Sequence, residues 1–111
     1  MDRYDKPLDY EVSMGDKKRG VLLVMDRGFE AFLTVKDILV KQYHLRLKNQ
    51  QGITDMKASF RLRGCELALL YFSDEDMLML CVEAADYRRG IIRKFRKISD
   101  ELYRMGKDGK F

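Results

Sequence analysis

The longest apolar stretches of the chain lie on either side of a short acidic segment. Two six-residue apolar runs, 67–72 and 77–82, flank the tetrapeptide Ser-Asp-Glu-Asp at 73–76. Runs that are apolar on both faces are typical of strands buried on both sides of a sheet. We therefore predict a hairpin of strands 66–72 and 77–83. The tetrapeptide also fits a helix capping box, and under that alternative residues 74–89 are helical.

Other segments have the two-residue period of strands or the spacing of turns. Residues 55–63 alternate between apolar and charged or hydroxyl side chains, which predicts a strand with one solvated face. Residues 21–25 form an apolar run that favours a central strand, and 9–14 fit a short edge strand. The sequence Asp-Arg-Gly at 26–28 favours a hairpin turn after the central strand.

Two segments repeat their apolar residues with helical spacing. Thr34 and Asp37 fit a capping box, so we predict a helix over 34–48, with 29–33 as either a return strand or the first helical turn. A second helix contains Gly90 and is closed by residues 106–109. Its apolar stripe consists of Tyr87, Ile91, Phe95, Ile98, Leu102 and Met105.

Taken in order, these elements predict an α/β (α+β) domain. It has a single antiparallel five-stranded sheet with helices on its faces and the order β-β-α-β-β-β-α. The 111 residues suit one domain. We assign residues 19–106 to it, 1–18 to an N-terminal arm or short edge strand, and 107–111 to a C-terminal tail.

The two cysteines and the absence of long apolar segments indicate a cytoplasmic protein. No apolar run approaches the roughly 20 residues of a membrane span, and the N-terminal sequence does not resemble a signal peptide. In the predicted hairpin Cys81 faces Ala68 and Cys65 faces Ala84, so the thiols are out of register and we expect them reduced.

The sequence contains no pattern typical of catalysis or of metal binding. His44 is the only histidine, and glycine-rich phosphate loops are absent. We therefore expect no metal, no cofactor and no enzymatic activity.

A basic cluster begins the second helix of a chain whose net charge is +4. It predicts a surface for an acidic protein partner, with phosphates or RNA bound by 88–97 as an alternative. The nearby aromatic residues fall on the apolar stripe, so base stacking has little support. A third alternative is that the cluster is only the solvated face of the helix. The predicted patch consists of Arg89, Arg93, Lys94, Arg96 and Lys97.

Three segments together resemble a known family. They are GVLLVMDRGFEAF (20–32), FRLRGCELALLYFSDEDMLMLCVEA (60–84) and GIIRKFRKISDEL (90–102). They resemble the roadblock/dynein-light-chain family and its longin relatives, which share a profilin-like α/β/α sandwich. Roadblock members usually open with a helix, which residues 1–18 do not predict, whereas longins lack that helix.

The resemblance implies a non-catalytic scaffold that forms a homodimer or pairs with a paralogous subunit. Family members bind or regulate small GTPases, or tether motor and signalling complexes. Their dimers form through the strand after the central helix and through that helix, and the charged face of 55–63 suits an edge strand. The implied interface residues are Lys57, Ser59 and Arg61 on the strand and Lys36, Val40 and Tyr43 on the helix.

A second resemblance depends on the helical alternative for 74–89. With a helix cap at 73–76, residues 65–85 look like the end of a Phox/Bem-type interaction domain, a ubiquitin-like β-grasp. Residues 15–24 then form its first hairpin. The acidic cluster that such domains carry between their third and fourth strands is absent here.

Overall fold

One antiparallel sheet of six strands carries two helices. The computed structural model describes residues 9–14, 16–83 and 89–111, with side chains over 22–82 and 93–111. The strand order is β1-β2-β6-β5-β4-β3, and every neighbouring pair is antiparallel. This confirms the α+β class and the single antiparallel sheet with two helices. The elements are β1 Asp9–Met14, β2 Asp16–Met25, α1 Phe29–Lys41, β3 Arg46–Gln51, β4 Met56–Leu62, β5 Cys65–Phe72, β6 Met77–Glu83 and α2 Arg89–Lys107.

The sheet contains the five predicted strands and one more, β3. This strand lies where the helix predicted over 34–48 should end, so that helix boundary is wrong. All six β3 residues are exposed, and an exposed strand of polar residues shows no alternation by which a pattern could identify it. The helix also begins earlier, at Phe29, so residues 26–28 connect β2 to α1 and do not form the predicted hairpin turn, and the return strand considered for 29–33 is wrong. Thr34 lies inside it and donates its hydroxyl to the Glu30 carbonyl at 3.0 Å, so the predicted capping box is not formed.

The hairpin between β5 and β6 has the predicted register. Phe72 pairs with Met77, and Ala68 faces Cys81. Because residues 77–83 form a strand, the helical alternative is wrong, and the β-grasp interpretation that depends on it loses its basis. Cys65 and Cys81 form no disulfide. They belong to separate buried clusters, Cys65 on the helix side of the sheet and Cys81 on the other side.

The main core lies between the sheet and both helices, which therefore share one face. No helix residue with a described side chain contributes to the smaller cluster on the opposite face, formed by Ala68, Leu70, Met79 and Cys81. Burial confirms the apolar stripe of α2 as far as its side chains are described. The fully buried residues of the main core include Phe32, Val35, Leu39, Phe60, Leu67, Leu69, Leu80, Ile98 and Leu102.

Both ends of the chain extend beyond the predicted domain limits. β1 and the first residues of β2 lie within 1–18 and belong to the sheet, with β1 at one edge. Residues 1–8 of the predicted arm lie outside the described residues. At the other end Phe111 packs against the main core, and the Lys110 amide donates to the Met105 carbonyl at 2.9 Å. The predicted tail therefore folds back on α2.

The carboxylate of Asp76 joins the β5–β6 turn to the start of α1. Its Oδ1 accepts the backbone N–H of Gly28, 48 residues away in sequence, at 2.8 Å. The same oxygen accepts the Tyr71 hydroxyl at 3.0 Å. The Asp76 carbonyl accepts the Asp26 amide at 2.9 Å. Gly28 is the N-cap and has no side chain, so Asp76 supplies the anionic acceptor that a helix N-terminus favours.

Replacement of this carboxylate should destabilise the fold. We expect Asp76→Ala to lower the free energy of unfolding by about 1–2 kcal/mol, because a helix cap and a tyrosine hydroxyl both lose their acceptor. Urea denaturation measures the change. The matched control is Asp74→Ala, an exposed position in the same turn, which should shift stability by less than about 0.5 kcal/mol. Equal effects of the two variants would contradict the capping role.

Tyr43 joins the end of α1 to α2. Its hydroxyl donates a hydrogen bond to the Glu101 carboxylate. Burial, this hydrogen bond and the negative charge of Glu101 raise the pKa of Tyr43 well above its usual range. A folded-state pKa above the unfolded value of 10.0 means that the contribution of this pair to stability is complete below about pH 10. It is lost as the pH rises through the folded-state pKa.

Tyr43→Phe should therefore show a pH-dependent cost. At pH 7–9 we expect the variant to be less stable than the wild type by about 1 kcal/mol, because the Glu101 carboxylate loses its donor. This difference should shrink from about pH 10 upward, as the unfolded wild-type tyrosine ionises. Urea denaturation of both proteins across this range measures it. A difference in unfolding free energy that stays constant up to pH 11 would show that the protonated Tyr43 hydroxyl does not stabilise the contact between α1 and α2.

Candidate interaction surfaces

The edge strand β3 presents an unpaired backbone on its outer side. It ends the sheet opposite β1, and all six of its residues are exposed. Its first half carries the cations Arg46 and Lys48, and its second half carries the amides Asn49, Gln50 and Gln51. An exposed edge strand can pair with another strand through its unpaired N–H and C=O groups.

An apolar stripe on α1 lies beside this edge. Phe29, Leu33 and Val40 are 40, 40 and 38 % exposed and follow one another at helical spacing. Lys36 falls on the same stripe, and its Nζ donates to Oε1 of Gln50 on β3 at 2.7 Å. This hydrogen bond joins the helix stripe to the edge strand at Lys36, whereas Phe29, at the other end of the stripe, packs against Tyr71 of β5. The family resemblance implied Lys36 and Val40 but not Phe29 and Leu33, because the predicted helix began after these two residues.

The strand half of the predicted interface requires a correction. The segment 55–63 is not an edge strand, because β4 pairs with β3 on one side and with β5 on the other. With its backbone paired on both sides, β4 cannot add a partner strand. Lys57 is half-buried, and Ser59 is only 5 % exposed. Tyr43 follows the end of α1 and donates its hydroxyl to Glu101.

Four cations line a surface pocket between the β4–β5 turn and α2. They are Arg63 from the turn and Arg93, Lys94 and Lys97 from the helix, all exposed, and none of the described lining residues is acidic. Three residues of the predicted patch are thus brought together. Arg96 is exposed but lies outside this lining, and the side chain of Arg89 lies outside the described residues. Sequence patterns missed Arg63, because only the tertiary fold places it beside α2.

A second basic pocket lies at the beginning of β3. It is lined by Arg46, Leu47, Lys48 and Arg61. Arg46 and Arg61 are directly paired across β3 and β4, and Arg61 is also paired with Glu66 across β4 and β5, so an opposite charge offsets the repulsion between the two arginines. This pocket uses only strand residues.

The acidic residues near the other end of β5 serve the fold. Asp55 Oδ1 accepts the Ser73 amide at 2.8 Å and the Ser73 hydroxyl at 3.0 Å, which ties the β3–β4 connection to the β5–β6 turn. Burial, the hydrogen bond to Asp76 and the nearby carboxylate charges raise the pKa of Tyr71. Among the described residues, no three of His, Cys, Asp and Glu converge in a group that could hold a metal ion.

Comparison with known proteins gives no match from which a function could be transferred. No helix within the described residues combines the length and apolar character needed to cross a membrane. No protein-family model, no curated protein and no solved structure matches the chain.

Proposed function

We propose that the chain is a non-catalytic adaptor that forms a homodimer through β3 and α1. The observation that carries this proposal is the exposed edge strand lying beside an exposed apolar helix stripe, joined by the hydrogen bond from Lys36 to Gln50. An edge strand supplies backbone hydrogen bonds, and apolar side chains supply burial, so the two features together suit a stable interface.

The charge pattern of β3 suits a second copy of the same strand. Two β3 strands related by a two-fold axis run antiparallel. The cationic first half of each strand then lies beside the amide-rich second half of the other, so like charges do not face each other directly. The α1 helices come together on the same side of the extended sheet, where Leu33 and Val40 can be buried.

Small GTPases are the partner class that the roadblock and longin resemblance implies, and a paralogous subunit is the implied alternative to self-pairing. Such adaptors act in the cytoplasm. Two buried cysteines on opposite faces of the sheet, with no disulfide between them, suit a reducing compartment. In this proposal the dimer presents its partner-binding surfaces twice.

A charge placed in the apolar stripe should weaken the dimer. We expect Leu33→Glu to raise the dimer dissociation constant by at least about tenfold, because it buries a carboxylate and removes apolar contact. Sedimentation velocity over a concentration series measures this constant. The control Lys41→Gln also changes the charge by one unit, but it replaces an exposed lysine paired with Asp37 away from the stripe. It should leave dimerisation unchanged.

Two outcomes would overturn the interface. A wild-type protein that stays monomeric at the highest soluble concentration would exclude the dimer. A Leu33→Glu protein that dimerises as well as Lys41→Gln would place the contact elsewhere.

The GTPase assignment has its own test. Immobilised wild-type protein should retain a small GTPase from an extract of its native host when the GTPase is loaded with GDP or with a non-hydrolysable GTP analogue, and mass spectrometry should identify it. Absence of any small GTPase from both eluates would remove that partner class while leaving the dimer intact.

A further inference from the structure

We propose that the pocket lined by Arg63, Arg93, Lys94 and Lys97 is a binding site for a phosphate monoester group. The site does not depend on the dimer proposed above, because none of its residues lies on β3 or α1. It gathers four positive charges from two elements that are distant in sequence, and its described lining is entirely cationic.

The pocket cations are not neutralised by neighbouring side chains. Within the described part of the chain, none of the four has an ion pair. Glu101 is one helical turn after Lys97, where a salt bridge could form, but it instead accepts the Tyr43 hydroxyl. Arg93 and Lys97 are like charges four residues apart on a helix, an arrangement that destabilises the free protein. A bound anion would relieve this repulsion.

Arg63 is held in a backbone conformation that arginine rarely adopts. The two-residue turn between β4 and β5 has φ 50° at Arg63 and φ 84° at Gly64. Asparagine or glycine suits the first position of such a turn better, because a bulky side chain at positive φ is strained. The strained backbone at Arg63 therefore lowers the stability of the turn, at a residue that lines the pocket. A guanidinium provides the forked donors that match phosphate oxygens.

The arrangement suits a compact dianion better than a nucleic acid strand. A phosphate monoester carries a charge of about −1.5 to −2 at pH 7, concentrated on three oxygens. A nucleic acid backbone carries one charge per phosphate and is usually bound by a track of cations with aromatic residues for stacking. Among the residues whose side chains the structure describes, no aromatic one lines this pocket. We therefore assign it to a phosphate monoester.

Methyl phosphate and dimethyl phosphate are the probes that test this assignment. Titration of the ¹⁵N-labelled protein should give saturable shifts at the amides of 63–65 and 93–97 with methyl phosphate. Affinity for the diester should be at least about tenfold weaker, because the diester carries one charge. Methyl phosphate should also bind more weakly as the pH falls through its second pKa near 6. Equal affinity for both esters, or shifts that never saturate, would overturn the assignment.

Two arginines on the same hairpin give a matched pair of variants. Arg63→Gln should weaken methyl phosphate binding by about tenfold, whereas Arg61→Gln, two residues earlier and lining the other basic pocket, should not. Arg63→Asn should lose affinity to the same extent while its melting temperature rises, since asparagine tolerates the left-handed backbone. Loss of binding with normal or improved stability separates a binding role from a structural one. If Arg61→Gln weakened methyl phosphate binding as much as Arg63→Gln, the binding would depend only on the overall positive charge of this surface, and the proposed site would be wrong.

The source of the ester is distinguished by two further probes. A soluble inositol phosphate that binds as tightly as vesicles containing the matching phosphoinositide indicates a soluble ligand, and binding to the vesicles alone indicates a lipid headgroup. Either result supports the shared chemistry. A single-stranded oligonucleotide that binds more tightly than any monoester, and is weakened equally by Arg61→Gln and Arg63→Gln, would overturn it in favour of a polyanion surface.

Discussion

The placement of α1 depends on the Asp76 carboxylate. One oxygen accepts the Gly28 amide at the start of α1 and the hydroxyl of Tyr71 on β5, and the Asp76 backbone also receives the Asp26 amide. These contacts fix the point at which the chain leaves β2 and crosses the sheet. With the start of α1 fixed in this way, the side chains of Phe32 and Val35 are buried in the core, while that of Leu33 is exposed. The exposed stripe beside β3 is therefore a consequence of how α1 begins.

The same constraint explains which parts of the fold could be predicted from sequence. Apolar runs and alternation are local signals, and they located β4, β5, β6 and the register of the central hairpin. The start of α1 could not be found in this way, since its acceptor lies 48 residues further along the chain. Thr34 and Asp37 provided a competing local signal, but Thr34 bonds the carbonyl one turn earlier. β3 was missed because its six exposed residues bury no side chain and have no periodic pattern.

The candidate surfaces show the same division between local and tertiary information. Lys36 and Val40 lie within the helix that was predicted from residue 34 onward. Phe29 and Leu33 were missed, because α1 begins earlier, at Phe29. The basic patch was predicted from cations that are close in sequence on α2. In the structure Arg93, Lys94 and Lys97 line one pocket together with Arg63, from a turn thirty residues earlier. The segment first assigned to a sheet edge became an interior strand, because β3 covers it. An interface that requires an edge strand on this side of the sheet therefore has to use β3 and cannot use β4.

The central claim is that two copies meet along β3, and an isotope-filtered NOE experiment tests it most directly. Dimers formed from one labelled and one unlabelled protomer report only contacts between copies. We expect cross-protomer contacts between backbone protons of 46–51 and between side chains of the α1 stripe. Cross-protomer contacts confined to β1 at the opposite edge, or none at concentrations where the protein is dimeric by mass, would contradict the account.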